Sequence, residues 1–327
     1  MHIQADTMDE VQRLALHHIF ERGRRVQPRG IWVSEITSAS FQLLQPRARL
    51  IYSPSRVHNI TFAIGELLWY LRGSDQADIV SFYNPRYTTF SDDGRTLHGA
   101  YGRRIFSSAL TGIVQWDAVL HLLRTDRDTR QAVLHFHLPS DLVIVSRDIP
   151  CTCSMQFFIR ENKLECLVMM RSNDIIWGTP YDVFSFTMMQ EIMAKQLGIE
   201  LGPYTHMVGS FHLYDRHIKL AQKILSESSY DTYPMPEMPP NPWQSIRELL
   251  EIEESLRVLG VDASDGARTC LTHPYWKDFA HLLHGHAAWR AKNEHHLAHM
   301  LALLPPQYAT LLQRQILRQR RLLPTGP

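Results

Sequence analysis

The chain has 327 residues, of which 44% are hydrophobic and 20% charged, and its formal net charge is +1 at pH 7. This is the profile of a soluble globular protein with room for one large domain or two ordinary ones, and near-neutrality removes any electrostatic case for bulk nucleic-acid or membrane-surface binding. No apolar run approaches the roughly 20 residues of a membrane span, MHIQADTMDEV lacks the charged start and apolar middle of a signal peptide, and four cysteines in this length suggest no disulfide scaffold, so a reducing, cytoplasmic setting with free thiols is expected.

In chain order, residues 8–23 predict an amphipathic helix with Val11, Leu14, Leu16, Ile19 and Phe20 on or near one face and Gly23 ending it. An Arg-rich turn (Arg22, Arg24, Arg25, Arg29) follows, then a β-prone stretch from Ile31 to Ile51. Ile60 to Leu71 reads as a buried helix carrying a single acid, Glu66, and closed by Gly73. Residues 84–104 are polar and loop-rich. Gln115 to Arg124 is helical. Gln131 to His137, Ser154 to Arg160 and Leu164 to Met170 read as strands, the last two joined by the turn ENK. Tyr181 to Gly198 reads as a long apolar helix, and strand signals return at 205–211.

The pattern changes after residue 230. YDTYPMPEMPPNP holds five prolines in 13 residues, which excludes an ordinary helix and predicts a loop or extended connector. Residues 243–258 and 275–321 then read as helices, ending in a basic amphipathic tail. The expected fold class is α+β: a large mixed β-sheet flanked by helices, with a core over residues 1–230. A helical C-terminal extension over 231–327 is expected to pack on the same domain.

Several residue types invite chemistry. Cys151 follows a proline at the entry to a strand; it reads either as a buried structural thiol or as a nucleophile. Cys166 and Cys270 lie at no zinc-ligand spacing, and NEHHLAH, with His295, His296 and His299, reads as a solvated helix face, so no metal is expected. Arg171-Ser172 offers a cationic fork plus a hydroxyl, which suits a phosphate monoester, and Arg29 and Arg130 are further candidates on loops. Glu66, an acid inside an apolar helix, suits proton transfer because burial raises its pKa. His212 and Tyr214 add polar groups in an aromatic setting.

These segments, PRG (28–30), GELLWYLRG (65–73), HGAYGRR (98–104), TRQAV (129–133), PCTCSMQF (150–157), RSNDIIWGTPYDVFSF (171–186) and GSFHLYDRH (209–217), resemble those of thymidylate synthase and the related pyrimidine nucleotide 5-hydroxymethylases, in order and in spacing over residues 10–220. The resemblance implies a thymidylate synthase-like fold and a transferase acting on a pyrimidine nucleoside monophosphate, with 5,10-methylenetetrahydrofolate as co-substrate. It implies Cys151 as the nucleophile at C6, with Arg171 as the cation that favours its thiolate. Glu66 and Tyr101 join it in the catalytic group. Arg29, Arg171 and Ser172 would hold the phosphate, His212 and Tyr214 the sugar, and Asp174 and Trp69 the folate. It further implies a homodimer in which Arg130 reaches the partner's phosphate.

Asp182 departs from thymidylate synthase, where the matching position is Asn. A carboxylate can accept from the cytosine amino group and from a protonated N3, whereas it cannot donate to O4 of uracil when ionised. The acid therefore points to CMP or dCMP, and it is the mark of the cytidylate hydroxymethylases. Alternatively, Asp182 N-caps the helix that follows Gly178 and Pro180. Thr152, Gln131 and Ser210 also depart from the synthase pattern, as does the tail RRLLPTGP, which is unlike the apolar tail that closes over folate in the synthase. A site that stays wet fits hydroxymethylation, in which water adds to the exocyclic methylene.

Overall fold

The computed structural model describes residues 1–261 and 271–322. Seven strands form one mixed sheet: β1 (His2–Ala5), β2 (Arg24–Val26), β3 (Val33–Leu43), β4 (Val133–His135), β5 (Thr152–Arg160), β6 (Lys163–Asp174) and β7 (Glu200–Tyr214). The order is β1-β3-β7-β6-β5-β4, with β2 paired to β3. The neighbours β3–β7, β5–β6 and β4–β5 are antiparallel, while β1–β3 and β6–β7 are parallel. Helices cover the sheet, so the α+β expectation holds.

Two helices form much of the core. α1 (Met8–Arg22) is N-capped by Thr7, whose side chain accepts from the Glu10 amide, and its buried stripe of Val11, Ala15, Leu16 and Ile19 recurs at helical spacing. α2 (Ile60–Leu71) is buried along its whole length, with Asn59 as N-cap. An all-round apolar helix is stable only when it is covered on every side. Short helices α3 (Ala77–Ser81) and α4 (Tyr101–Ile105) follow, then α5 (Gln115–Thr125), the long α6 (Gly178–Leu197) and α7 (Ile218–Leu225).

After an extended connector come α8 (Pro242–Val258), α9 (Pro274–Arg290), α10 (Glu294–Leu303) and α11 (Pro306–Leu322). The connector is fastened at two points: the Met235 amide donates to the Arg47 carbonyl (2.8 Å) and the Met238 amide to Glu191 (3.1 Å). The late helices clasp α2. Gln315 Nε2 donates to Thr61 Oγ1 (2.7 Å), and His286 Nδ1 lies 3.1 Å from the same hydroxyl.

Three expectations need correction. The β-prone stretch 31–51 yields a strand only over Val33–Leu43, and β1, unforeseen, pairs with it. The strand expected to end at Met170 continues through Arg171 and Ser172 to Asp174, because backbone pairing with β7 (Ser172 to Ser210, Asp174 to His212) is indifferent to the loss of apolar alternation. The helix expected from Tyr181 begins three residues earlier, at Gly178, so that 178–180 is the first turn of α6. Pro180 is tolerated there because the first amides of a helix have no intrahelical acceptor to lose.

The topology converges on one edge of the sheet. β6 and β7 run parallel, so their C-terminal ends lie side by side, and β5 runs the other way, so its beginning joins them. Cys151 thus sits next to Arg171, whose amide donates to the Cys151 carbonyl (2.8 Å).

Candidate active site

Cys151 and Cys153 are partly buried and Cys166 is buried, and all three carry free thiols; Cys270 lies outside the described residues. Burial pushes the Cys151 thiol up, while the charges of Arg171 and then Arg29 pull it down, with Asp182 and Asp148 opposing them. The net direction is upward. The cation expected to favour a thiolate is in place, but in the free protein it is outweighed by desolvation.

Arg171 is anchored rather than free-swinging. Its Nε and Nη2 donate to the carbonyls of Pro150 and Ile149, both at 2.9 Å, while its Nη1 has no protein partner among the described residues. Arg29 is exposed and sits at φ 51, a left-handed conformation that a non-glycine residue rarely holds and that clusters at functional sites. Ser172, half-buried on β6, lies in register with Ser210. His212 is buried, with Nδ1 3.3 Å from the Ser210 carbonyl, and its ring meets Tyr214 edge-on at 4.9 Å. Tyr214 is close enough for the charges of Asp174, Arg29 and Cys151 to act on it. Arg130 is exposed at the far end of the chain segment that leads into β4.

The acids form the other wall. Glu66 on α2 is buried, and burial raises its pKa to about 7 against hydrogen bonds from Tyr87 and Tyr70 that lower it. Asp182 on α6 keeps a partial opening to solvent, yet its carboxyl is hemmed in. Desolvation, and then the Glu66 carboxyl, hold it well above the usual range, against a hydrogen bond from Asn173 Nδ2 to Oδ2 (2.8 Å). Asp182 does not cap α6. The helix begins four residues earlier, Trp177 holds the N-cap position, and no side-chain cap is made. Tyr101 accepts from the Thr152 amide (3.2 Å), and its hydroxyl is held up by burial, Asp182 and Cys151. Tyr101 therefore joins the thiol to the acids.

Asp174 closes a turn, accepting from the amides of Ile176 (3.0 Å) and Trp177 (3.2 Å). Trp69 is buried three residues after Glu66, beside Tyr87 (6.3 Å between ring centroids), and its indole Nε1 has no partner among the described residues.

Some site residues escaped the sequence reading. Tyr70 lies one helical turn after Glu66, a spacing that puts both on one face. Tyr87 comes from a separate loop and carries no sequence signal. Ser210 stands where the resembled synthases have Asp, and its hydroxyl donates to Glu35 of the neighbouring strand β3, so a carboxylate reaches this point from another position. Residues 323–327, part of the divergent tail, lie outside the described residues.

The ends of β5 and β6 thus bring Cys151 and Arg171 together, and α2 and α6 supply two desolvated acids, Glu66 and Asp182. The thymidylate synthase family model matches residues 15–254, and the chain belongs to that family. It is 32% identical over 210 residues to the deoxyuridylate hydroxymethyltransferase of Bacillus phage SP01, covering 61% of this chain and 55% of that protein. It is 33% identical over 179 residues to the protein of the same name from Pseudomonas phage M6 (53% and 49%). It is 32% identical over 162 residues to a thymidylate synthase from Bacillus subtilis subsp. natto (48% and 58%). The chain spans about half the length of the curated relatives it matches. Among the described residues, no helix is long and apolar enough to cross a membrane.

Proposed function

We propose that this chain is a cytidylate 5-hydroxymethylase, transferring a one-carbon unit from 5,10-methylenetetrahydrofolate to C5 of CMP or dCMP. The observation that carries the reading is Asp182: a desolvated carboxyl beside Glu66, held by one neutral amide and free of any capping duty. In its neutral form the acid donates its proton toward N3 of cytosine as the base is attacked, and it accepts from the C4 amino group. The proton neutralises the negative charge that develops at N3 as the thiolate adds, and this is what makes C6 electrophilic.

The remaining roles are assigned as the family resemblance implies them. Cys151 gives its proton to solvent water and bonds to C6 as the thiolate, while Arg29, Ser172 and Arg171, through its remaining Nη1, hold the phosphate. His212 and Tyr214 face the sugar. Glu66, poised near pH 7 by burial, holds and returns the proton displaced at C5, with Tyr101 bridging toward the thiol. Folate supplies a carbon at the oxidation level of formaldehyde. The residues suited to hold its pterin are Asp174, an acceptor for ring amino groups, and Trp69, whose unpartnered indole N–H offers a donor and a flat face. Arg130 is proposed to serve the phosphate of a partner subunit in a homodimer.

A second reading, a deoxyuridylate hydroxymethylase, or less closely a thymidylate synthase, is favoured by the names of the relatives. One assay separates them: incubation with CMP, dCMP, UMP and dUMP plus methylenetetrahydrofolate, with product masses and dihydrofolate absorbance followed together. A hydroxymethylated cytosine nucleotide with no dihydrofolate is expected. Methylated dUMP as the main product defeats the proposal.

A further inference from the structure

Behind Asp182 lies a chain of polar side chains with no evident structural need. Asn173, His206 and Tyr204 are all buried. Tyr204 Oη is 2.6 Å from His206 Nδ1, His206 Nε2 is 3.2 Å from Asn173 Oδ1, and Thr179 Oγ1 is 2.7 Å from the same oxygen. Asn173 Nδ2 then faces Asp182 Oδ2 at 2.8 Å. The direction of this chain can be worked out. The Tyr204 hydroxyl has only His206 Nδ1 as a hydrogen-bond partner among the described residues, and a buried O–H left undonated is costly. It therefore donates to Nδ1. His206 stays neutral because burial pulls its pKa down to about 3, so its single proton is on Nε2 and goes to Asn173 Oδ1. Oδ1 thus receives the His206 N–H and the shorter contact of the Thr179 hydroxyl, whose other acceptor is the Asp174 carbonyl (3.0 Å), so the amide nitrogen is directed at Asp182.

A neutral carboxyl that can turn freely presents donor and acceptor in either order, and so serves cytosine (acceptor N3, donor amino group) and uracil (donor N3–H, acceptor O4) alike. A carboxyl whose Oδ2 is committed to accepting presents one order only. We propose that Asn173, set by His206 and Thr179, locks the hydrogen-bond order of Asp182, making Asn173 and His206 specificity-determining positioning residues for the nucleobase. The lock rests on Asp182 reading the base, as set out above; on the cytosine reading, Oδ1–H meets N3 and Oδ2 also accepts from the amino group. Neither Asn173 nor His206 needs to touch the substrate for this.

The test is the ratio of kcat/KM for CMP over UMP, and for dCMP over dUMP, in Asn173→Ala, His206→Leu and His206→Gln. Loss of one hydrogen bond to the carboxyl is expected to move the ratio about tenfold toward unity in Asn173→Ala and His206→Leu. His206→Gln, which restores an N–H donor, is expected to stay near the wild-type ratio. If the wild type prefers uracil, the cytosine reading fails, yet the lock still predicts movement toward unity from that side. Isotope-edited infrared spectroscopy gives a readout that needs no substrate. The Asp182 C=O stretch, assigned by its loss in Asp182→Asn, should shift to higher frequency in Asn173→Ala, because Oδ2 loses its donor. An unchanged ratio in folded Asn173→Ala, or an unmoved stretch, overturns the lock.

Discussion

Helix α6 carries two enclosed acids, nine residues apart, in opposite states. Glu191 has no exposed surface, yet its pKa is lowered: against the cost of burial stand Arg49 (2.5 Å), Arg47 (2.8 Å) and the Met238 amide (3.1 Å). Asp182 keeps an opening to water, yet burial, Glu66 and a lack of cations hold its pKa well up. Burial alone therefore does not set ionisation; the partners do. Glu191 is satisfied from every side and ties the connector to the core. Asp182 has one neutral amide as its hydrogen-bond partner among the described residues, which is the state that the proposed base-reading role requires.

The sharpest way to break this contrast is Asp182→Asn. An amide there matches the uracil edge, so the cytosine-over-uracil ratio of kcat/KM is expected to fall on the order of 10⁴-fold, with thermal stability at neutral pH raised rather than lowered, because no ion pair is lost and a desolvated acid is removed. A ratio that does not move would show that Asp182 does not read the base. Glu191→Gln is expected to do the reverse. It leaves Arg49 buried and uncompensated, at a cost of about 3–5 kcal/mol in chemical denaturation, while the base preference of the folded fraction stays put. Equal stability losses in the two variants would erase the distinction between them.

The contrast also explains what was legible in the sequence. Asp182 stood out because a lone acid interrupted an apolar run, and Glu66 for the same reason; α1 and α2 were readable from caps and periodicity. Glu191 was just as unusual in MMQEIM but drew no notice, since its partners Arg47 and Arg49 lie more than 140 residues away and only the fold unites them. The Tyr204–His206–Asn173 chain was invisible for a similar reason: its members occupy two strands and look like ordinary polar alternation. The strand through Arg171 and Ser172 was cut short because alternation of apolar residues reports packing on a face, whereas the hydrogen-bond ladder that defines β6 does not depend on it.

Glu66→Gln extends the comparison to stability. In the folded chain Glu66 keeps its proton up to about pH 7, against 4.5 for an unperturbed glutamate. The folded state thus binds more protons than the unfolded one between those values, and stability falls as pH rises through that window. Replacing the acid by a neutral amide removes this loss. The variant is expected to be more stable than wild type at pH 8 by roughly 3 kcal/mol and equal to it near pH 4, while turnover collapses. Equal melting temperatures of variant and wild type at pH 8 would mean that Glu66 is not a strained acid.

The smallest expected effect concerns Tyr87, which donates to Glu66 from outside α2. A donor to the carboxylate favours the charged form, so Tyr87→Phe should move the Glu66 limb of the pH–kcat/KM profile upward from about 7, by about one unit. The ring contacts with Phe62, Trp69 and Phe90 are retained in phenylalanine, so the fold should be little changed. The sign matters more than the size. Glu191 owes its lowered pKa to cations, and Glu66 has only hydroxyls to oppose desolvation, so removing one hydroxyl should push Glu66 further toward the state of Asp182. A limb that stays in place would leave burial, with Tyr70, as the sole control on the proton of Glu66, and the two tyrosines would then differ in function although both reach the same carboxyl.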